Sequence, residues 1–253
     1  METTTLVIVA ILFAGALVRS TFGFGESLIA VPLLAMIMPV EVAAPVMVLV
    51  SITMGSVILA QDWRKVHFDS AGLLLLSTLF GIPLGLWLLR SLPEPAVKAA
   101  LALIIVAFSV HTLRSRNRHS LGDDRLAWLF GFFAGVLGGA YGMNGPPLAI
   151  YGSLRRWQPE QFRATMQAYF VPAGVAGMIG YWLAGFWTTQ VNHFFLASLP
   201  GTAMAIIVGR AINARISPHR FNSYIYIGLA MIGALLLLQA LATVTSGAKP
   251  AGS

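Results

Sequence analysis

Apolar stretches long enough to cross a bilayer recur along the whole chain, and this feature restricts the fold more than any other. They fall at residues 6–38, 42–60, 70–89, 96–113, 126–154, 164–184, 192–212 and 221–242. A helix needs about 20 apolar residues to cover the hydrocarbon core. The stretches are continuously apolar rather than alternating, so helices and not barrel strands satisfy the backbone in lipid. Only 10% of the 253 residues are charged, against roughly 25% in a soluble domain. The chain therefore reads as an all-helical, polytopic membrane protein.

Cysteine is absent, which removes disulfides, thiol redox chemistry and thiolate metal sites. No metal site or cofactor is expected. The net charge of +7 reads as topology rather than as nucleic-acid binding, because the basic residues sit in short loops between apolar stretches. The N-terminus lacks a basic leader and runs straight into an apolar stretch, which reads as a retained membrane segment.

Two stretches, the first and the fifth, are interrupted by glycine and proline. They contain STFGFGESLIAVPLL (residues 20–34) and GVLGGAYGMNGPPLAIYG (residues 135–152). Such density breaks a continuous helix. The two breaks align with one another. Phe13-Ala14-Gly15 and Leu17 match Phe133-Ala134-Gly135 and Leu137, Gly23 meets Gly142, and Pro39 meets Pro159. Arg90 and Pro93 pair with Arg215 and Pro218. The expected architecture is two inverted homologous repeats, each a broken-helix hairpin followed by three transmembrane helices. Residues 1–113 form the first repeat, 114–125 a charged cytoplasmic linker, 126–245 the second repeat and 246–253 a disordered tail.

Loop charge sets orientation. Residues 61–68, 114–125, 155–163 and 210–220 hold 12 of the 16 Lys and Arg side chains, so all four are expected on the cytoplasmic side. Both termini are then extracytoplasmic. The fifth stretch starts and ends on the same side and must go in and come back. The first is expected to be a hairpin entering from outside, with its break near mid-membrane.

Inverted halves with broken helices are the usual build of secondary transporters, with the substrate held near the midplane. A broken helix frees backbone N–H groups at the start of its second piece, where an anion can dock. Gly23, Phe24, Gly25 and Glu26 make one such start, and Tyr141, Gly142, Met143, Asn144 and Gly145 the other, with Asn144 placed to cap it. The same glycines could simply permit close packing. Arg19 and Glu26 flank the first break at depth, where charge is costly. They form either a mutual ion pair that pins the hairpin, or an anion-holding arginine beside a proton-coupling Glu26. Arg163 and Gln167 share one face of the sixth stretch; Arg163 could equally anchor at the interface. Phe22, Phe24, Tyr141 and Met143 either line a binding space or pack. No hydrolase or nucleotide-binding motif is present, which argues against an enzyme.

The run FGFGESLIAVPLL (residues 22–34), its second copy GGAYGMNGPPLAIYG (residues 138–152) and PEQFRATMQAY (residues 159–169) resemble the sulfite exporter TauE/SafE family over nearly the full length. The resemblance implies an inner-membrane carrier or permease for a small sulfur-containing anion such as sulfite or an organosulfonate, in a bacterial plasma membrane. It places the family's glycine motif on Gly23, Gly25, Gly142 and Gly145, followed by Pro32 and Pro147, and its alanine-threonine pair on Ala164-Thr165. Glu26 stands where a glycine is common, and Ala44-Pro45 replaces the pair in the first half. An uncoupled anion channel, a membrane-embedded enzyme and an assembly factor are the alternative readings.

Overall fold

The computed structural model describes residues 2–114, 124–155, 157 and 159–213. The expected eighth stretch, the tail and most of the charged linker lie outside the described residues.

Left-handed glycines decide where the first and fifth stretches stop being one helix. Helix α1 (Glu2–Phe22) ends before Gly23 and Gly25, both at positive φ (87° and 99°). A side chain with a Cβ avoids that region, so glycine takes it at no steric cost. Helix α2 (Glu26–Ala35) starts directly afterwards. In the second half, α6 (Ala127–Tyr141) ends at Gly142, φ 64°. There the Gly142 N–H donates to Gly138 O and the Met143 N–H to Leu137 O, with Gly142 closing the 5→1 bond of an αL-type stop. Helix α7 (Gly145–Leu154) follows. Between and after these lie α3 (Val40–Asp62), α4 (Phe68–Ser91), α5 (Glu94–Arg114), α8 (Pro159–Leu183) and α9 (Thr189–Asn213).

Length distinguishes helices that can cross the bilayer from short return arms. Helices α1, α3, α4 and α9 are long and apolar enough to cross a membrane. At 1.5 Å per residue the ten-residue α2 and α7 reach only about 15 Å, half a hydrocarbon core. Each folds back on its predecessor. Gly15 of α1 lies against the Glu26 carbonyl and Ala30 of α2, a pairing that a straight continuation would keep far apart. The first hairpin breaks after a 21-residue arm, at the glycine pair.

The described parts of the four basic loops meet at one end of the molecule. Asp62, closing α3, pairs with Arg163 near the start of α8 at 3.8 Å. Arg210, late in α9, donates to Gln61 at 2.7 Å. Asp124, before α6, takes an ion pair from Arg155, after α7, and a hydrogen bond from Ser70 of α4. The second hairpin therefore enters and leaves at this basic end. The first enters from the other end. Gly201 of α9 lies beside Val9 and Phe13 of α1, and Gly209 beside Leu17 and Ser20. The two helices thus run parallel, and α9 finishes at the basic end.

Helices α4 and α6 also run parallel, and their backbones touch. A Cβ on Gly81 or Gly85 would overlap the carbonyl oxygen of Phe132 or Val136, and one on Gly135 or Gly139 that of Thr78 or Ile82. Small residues four apart permit such contact in membranes. Gly135→Val therefore forces backbone apart, which no rotamer relieves. It should cost more than about 3 kcal/mol and abolish the monodisperse peak in size-exclusion chromatography. Gly72→Ala, on the exposed face of α4 where an added Cβ meets nothing within 4 Å, should leave that peak unchanged.

Candidate functional site

Helix α3 serves as a ruler for depth. Ser51 is its central residue, and it touches the first break. Arg19, three residues before the end of α1, is fully buried, as is Glu26 at the first position of α2. The two form an ion pair. The Arg19 Nη1 also donates to Ser51 Oγ at 2.5 Å, and Ser51 donates to Glu26 Oε1 at 3.0 Å. From α8, Gln167 Oε1 accepts from Arg19 Nε and Nη2 at 3.2 and 2.5 Å. Its amide nitrogen donates to the Gly23 carbonyl at 2.6 Å. The Phe170 ring lies under the guanidinium, 4.8 Å away, a cation–π contact.

The start of α2 carries no side-chain cap, because Gly25 stands at the capping position. Its first-turn N–H groups, those of Glu26, Ser27 and Leu28, have no intrahelical acceptor. They sit beside a buried arginine. Of the two interpretations the sequence allows for Arg19 and Glu26, the mutual ion pair is the arrangement present here.

The second break is built differently. Gly142 packs on the Ala44 carbonyl and Val48, about 10 Å along α3 from the Ser51 level toward its start. Asn144 directly precedes α7, but its amide donates to Tyr169 Oη at 3.3 Å. Capping by Asn144 is corrected by the sequence that follows: a capping side chain accepts from the second or third N–H, and both positions are proline. Thr78 donates to the Gly131 carbonyl at 2.7 Å, so its 2.5 Å contact with Tyr169 takes the phenol proton. A directed chain results, from Asn144 through Tyr169 and Thr78 to α6. Tyr141 donates to the Val97 carbonyl, and both it and Met143 are buried in the core. Packing is thus their part in this conformation.

Helix α8 passes between the breaks. Arg163 covers Gly23 with its Cβ and Cγ, Gln167 holds the first break, and Tyr169 holds the second. Phe24 meets Phe162 edge to face at 5.5 Å. The side chain of Phe22 lies outside the described residues. Sequence reasoning missed Ser51, Thr78 and Phe170, single residues in apolar stretches with no local signal. Tyr169 sat inside a recognised run without being singled out.

Comparisons with known proteins agree with the resemblance. The family profile described as "Sulfite exporter TauE/SafE" matches residues 7–236. A protein of Cupriavidus necator named "Probable sulfite/organosulfonate exporter TauE" is 26% identical over 241 residues, covering 92% of this chain and 93% of its own. No solved structure matches the chain.

The ion pair predicts a stability pattern. Glu26→Ala leaves a buried, unpaired guanidinium and should cost about 3–5 kcal/mol. The double variant Arg19→Met with Glu26→Leu removes both charges and should melt well above the single variant in detergent. A double variant no more stable than Glu26→Ala would show that the charges are not matched partners.

Proposed function

Because the chain belongs to the sulfite exporter TauE/SafE family, whose members are integral membrane transporters and not enzymes, we propose that it is a proton-coupled secondary carrier of a small sulfur oxyanion. Sulfite and organosulfonates are the candidates, from the name of the Cupriavidus relative. One observation carries the reading. A buried arginine, its carboxylate partner and an uncapped helix start converge in a chain break beside the centre of a transmembrane helix.

In the present conformation the Glu26 carboxylate occupies the donors of Arg19 and Ser51. A carboxylate at a helix N-terminus competes with any other anion for the same positive end. Protonating Glu26 releases Arg19, the Ser51 hydroxyl and the N–H groups of Ser27 and Leu28 to an incoming oxyanion. Deprotonation returns the carboxylate and expels the cargo. Gln167 stays on both Arg19 and the Gly23 carbonyl, so occupancy of the guanidinium reaches the backbone of the break. Arg163, packed on Gly23 and paired with Asp62 at the basic end, lines the route on that side.

Alternating access follows from the pairing of helices. Contacts join α1 to α9 and α4 to α6, join α3 to α9 and α4 to α8, and join α3 to α8. Exchanging the halves maps this set onto itself, with α1 to α4 corresponding to α6 to α9. That correspondence, the opposed hairpins and the aligned breaks support two inverted repeats, which can rock about a shared site. By the positive-inside rule the basic end is cytoplasmic and the N-terminus extracytoplasmic.

Purified protein in liposomes should take up sulfite or a sulfonate with saturation, faster when a pH gradient is imposed. Glu26→Gln should bind the anion yet lose the pH drive. Flux that never saturates would favour a channel instead, and an unchanged response to the gradient in Glu26→Gln would remove the glutamate from the mechanism.

A further inference from the structure

Charge balance at the first break narrows the cargo and the stoichiometry. The members of the cluster are Arg19 and Glu26, with Ser51, Gln167 and Phe170 uncharged around them. Its formal charge is zero. The groups facing Glu26 are Arg19 from α1 and Ser51 from α3, with Gln167 of α8 reaching it through Arg19. Arg163 of α8 packs on the neighbouring Gly23 and pairs with Asp62, which Lys65 also approaches. These groups at the basic end are partly exposed and screened by solvent, whereas Arg19 and Glu26 are buried, so the balance that matters is that of the buried pair.

A charge buried without a partner is expensive, and more so at membrane depth. Protonating Glu26 alone leaves the cluster at plus one. Adding a monoanion alone leaves it at minus one. Only the two together restore zero. A dianion arriving with the one proton that Glu26 can accept leaves an uncompensated negative charge.

We infer that this protein carries monoanions, with one proton bound on Glu26 for each, so that the loaded site is electroneutral. The inference rests on the carrier reading above and adds the charge class of the substrate. Sulfonates, R–SO3⁻, and hydrogen sulfite fit. Sulfate does not. The place to be filled is the one that a singly charged carboxylate now holds, against a guanidinium and a hydroxyl, and a sulfonate group presents oxygens to the same donors.

The test uses the full chain in liposomes, with methanesulfonate as the monoanion and sulfate as the dianion. Uptake is followed by tracer, proton movement by an internal pH dye and charge movement by solid-supported-membrane current. Methanesulfonate should enter with one proton and no steady current, and sulfate should be at least about tenfold slower, as an added site cost of 1.4 kcal/mol gives. In Glu26→Gln the proton signal should vanish and methanesulfonate flux should carry one negative charge per anion. Wild-type methanesulfonate uptake that carries current, or a preference for sulfate, overturns the inference while leaving a carrier in place. Wild-type protein that moves neither methanesulfonate, sulfite nor sulfate overturns both readings. The wild-type measurements decide the matter even where Glu26→Gln fails to fold.

Discussion

Backbone that leaves the helix inside a bilayer must find its hydrogen-bond partners in protein, and much of this structure answers that demand. An unmet N–H or carbonyl in hydrocarbon costs several kcal/mol. At the first break the Gly23 carbonyl is met by Gln167 and its N–H by the Arg19 carbonyl. At the second, Gly142 and Met143 return their N–H groups to α6. Helix α8 lies between the breaks and supplies side chains to both. Its placement explains why Arg163, Gln167 and Tyr169, close together in sequence, reach two segments more than a hundred residues apart.

The two breaks share backbone geometry but not chemistry. The first holds a buried ion pair beside a helix start whose first-turn N–H groups have no intrahelical acceptor. Two prolines take N–H groups from the second, which is tied down by a neutral chain of amide and hydroxyls. Alignment of the halves puts Gly139 opposite Arg19 and Gly145 opposite Glu26, so no second ion pair can form at the matching place. The first break is thus suited to charge and the second to anchorage, and the glycine contact of α6 with α4 strengthens that anchorage.

The sites differed in how far the sequence revealed them. Glycine at positions 23, 25 and 142 announced the breaks, because clustered glycine weakens a helix that an apolar stretch would otherwise keep continuous. Arg19 and Glu26 stood out because charge at depth is rare. Ser51 and Thr78 carried no such signal; a hydroxyl in a transmembrane helix can bond to its own backbone, as Thr53 does to Leu49. Met143 and Tyr141 show the opposite case, where position beside a break suggested a binding role and burial in the core assigns packing.

What the sequence determined alone was set by local physics: stretches of membrane-spanning length, glycines that stop helices, and basic residues confined to short loops. Repetition of those signals also exposed the family. What only tertiary structure decided was partnership. Residue spacing could offer Arg19 and Glu26 as a pair or as separate agents, since a turn of unknown geometry lay between them. Folding α2 back on α1 brought the carboxylate to the guanidinium, and Ser51 and Gln167 closed the cluster from helices 32 and 148 residues away. Contacts at that separation depend on how helices pack, which no local pattern encodes.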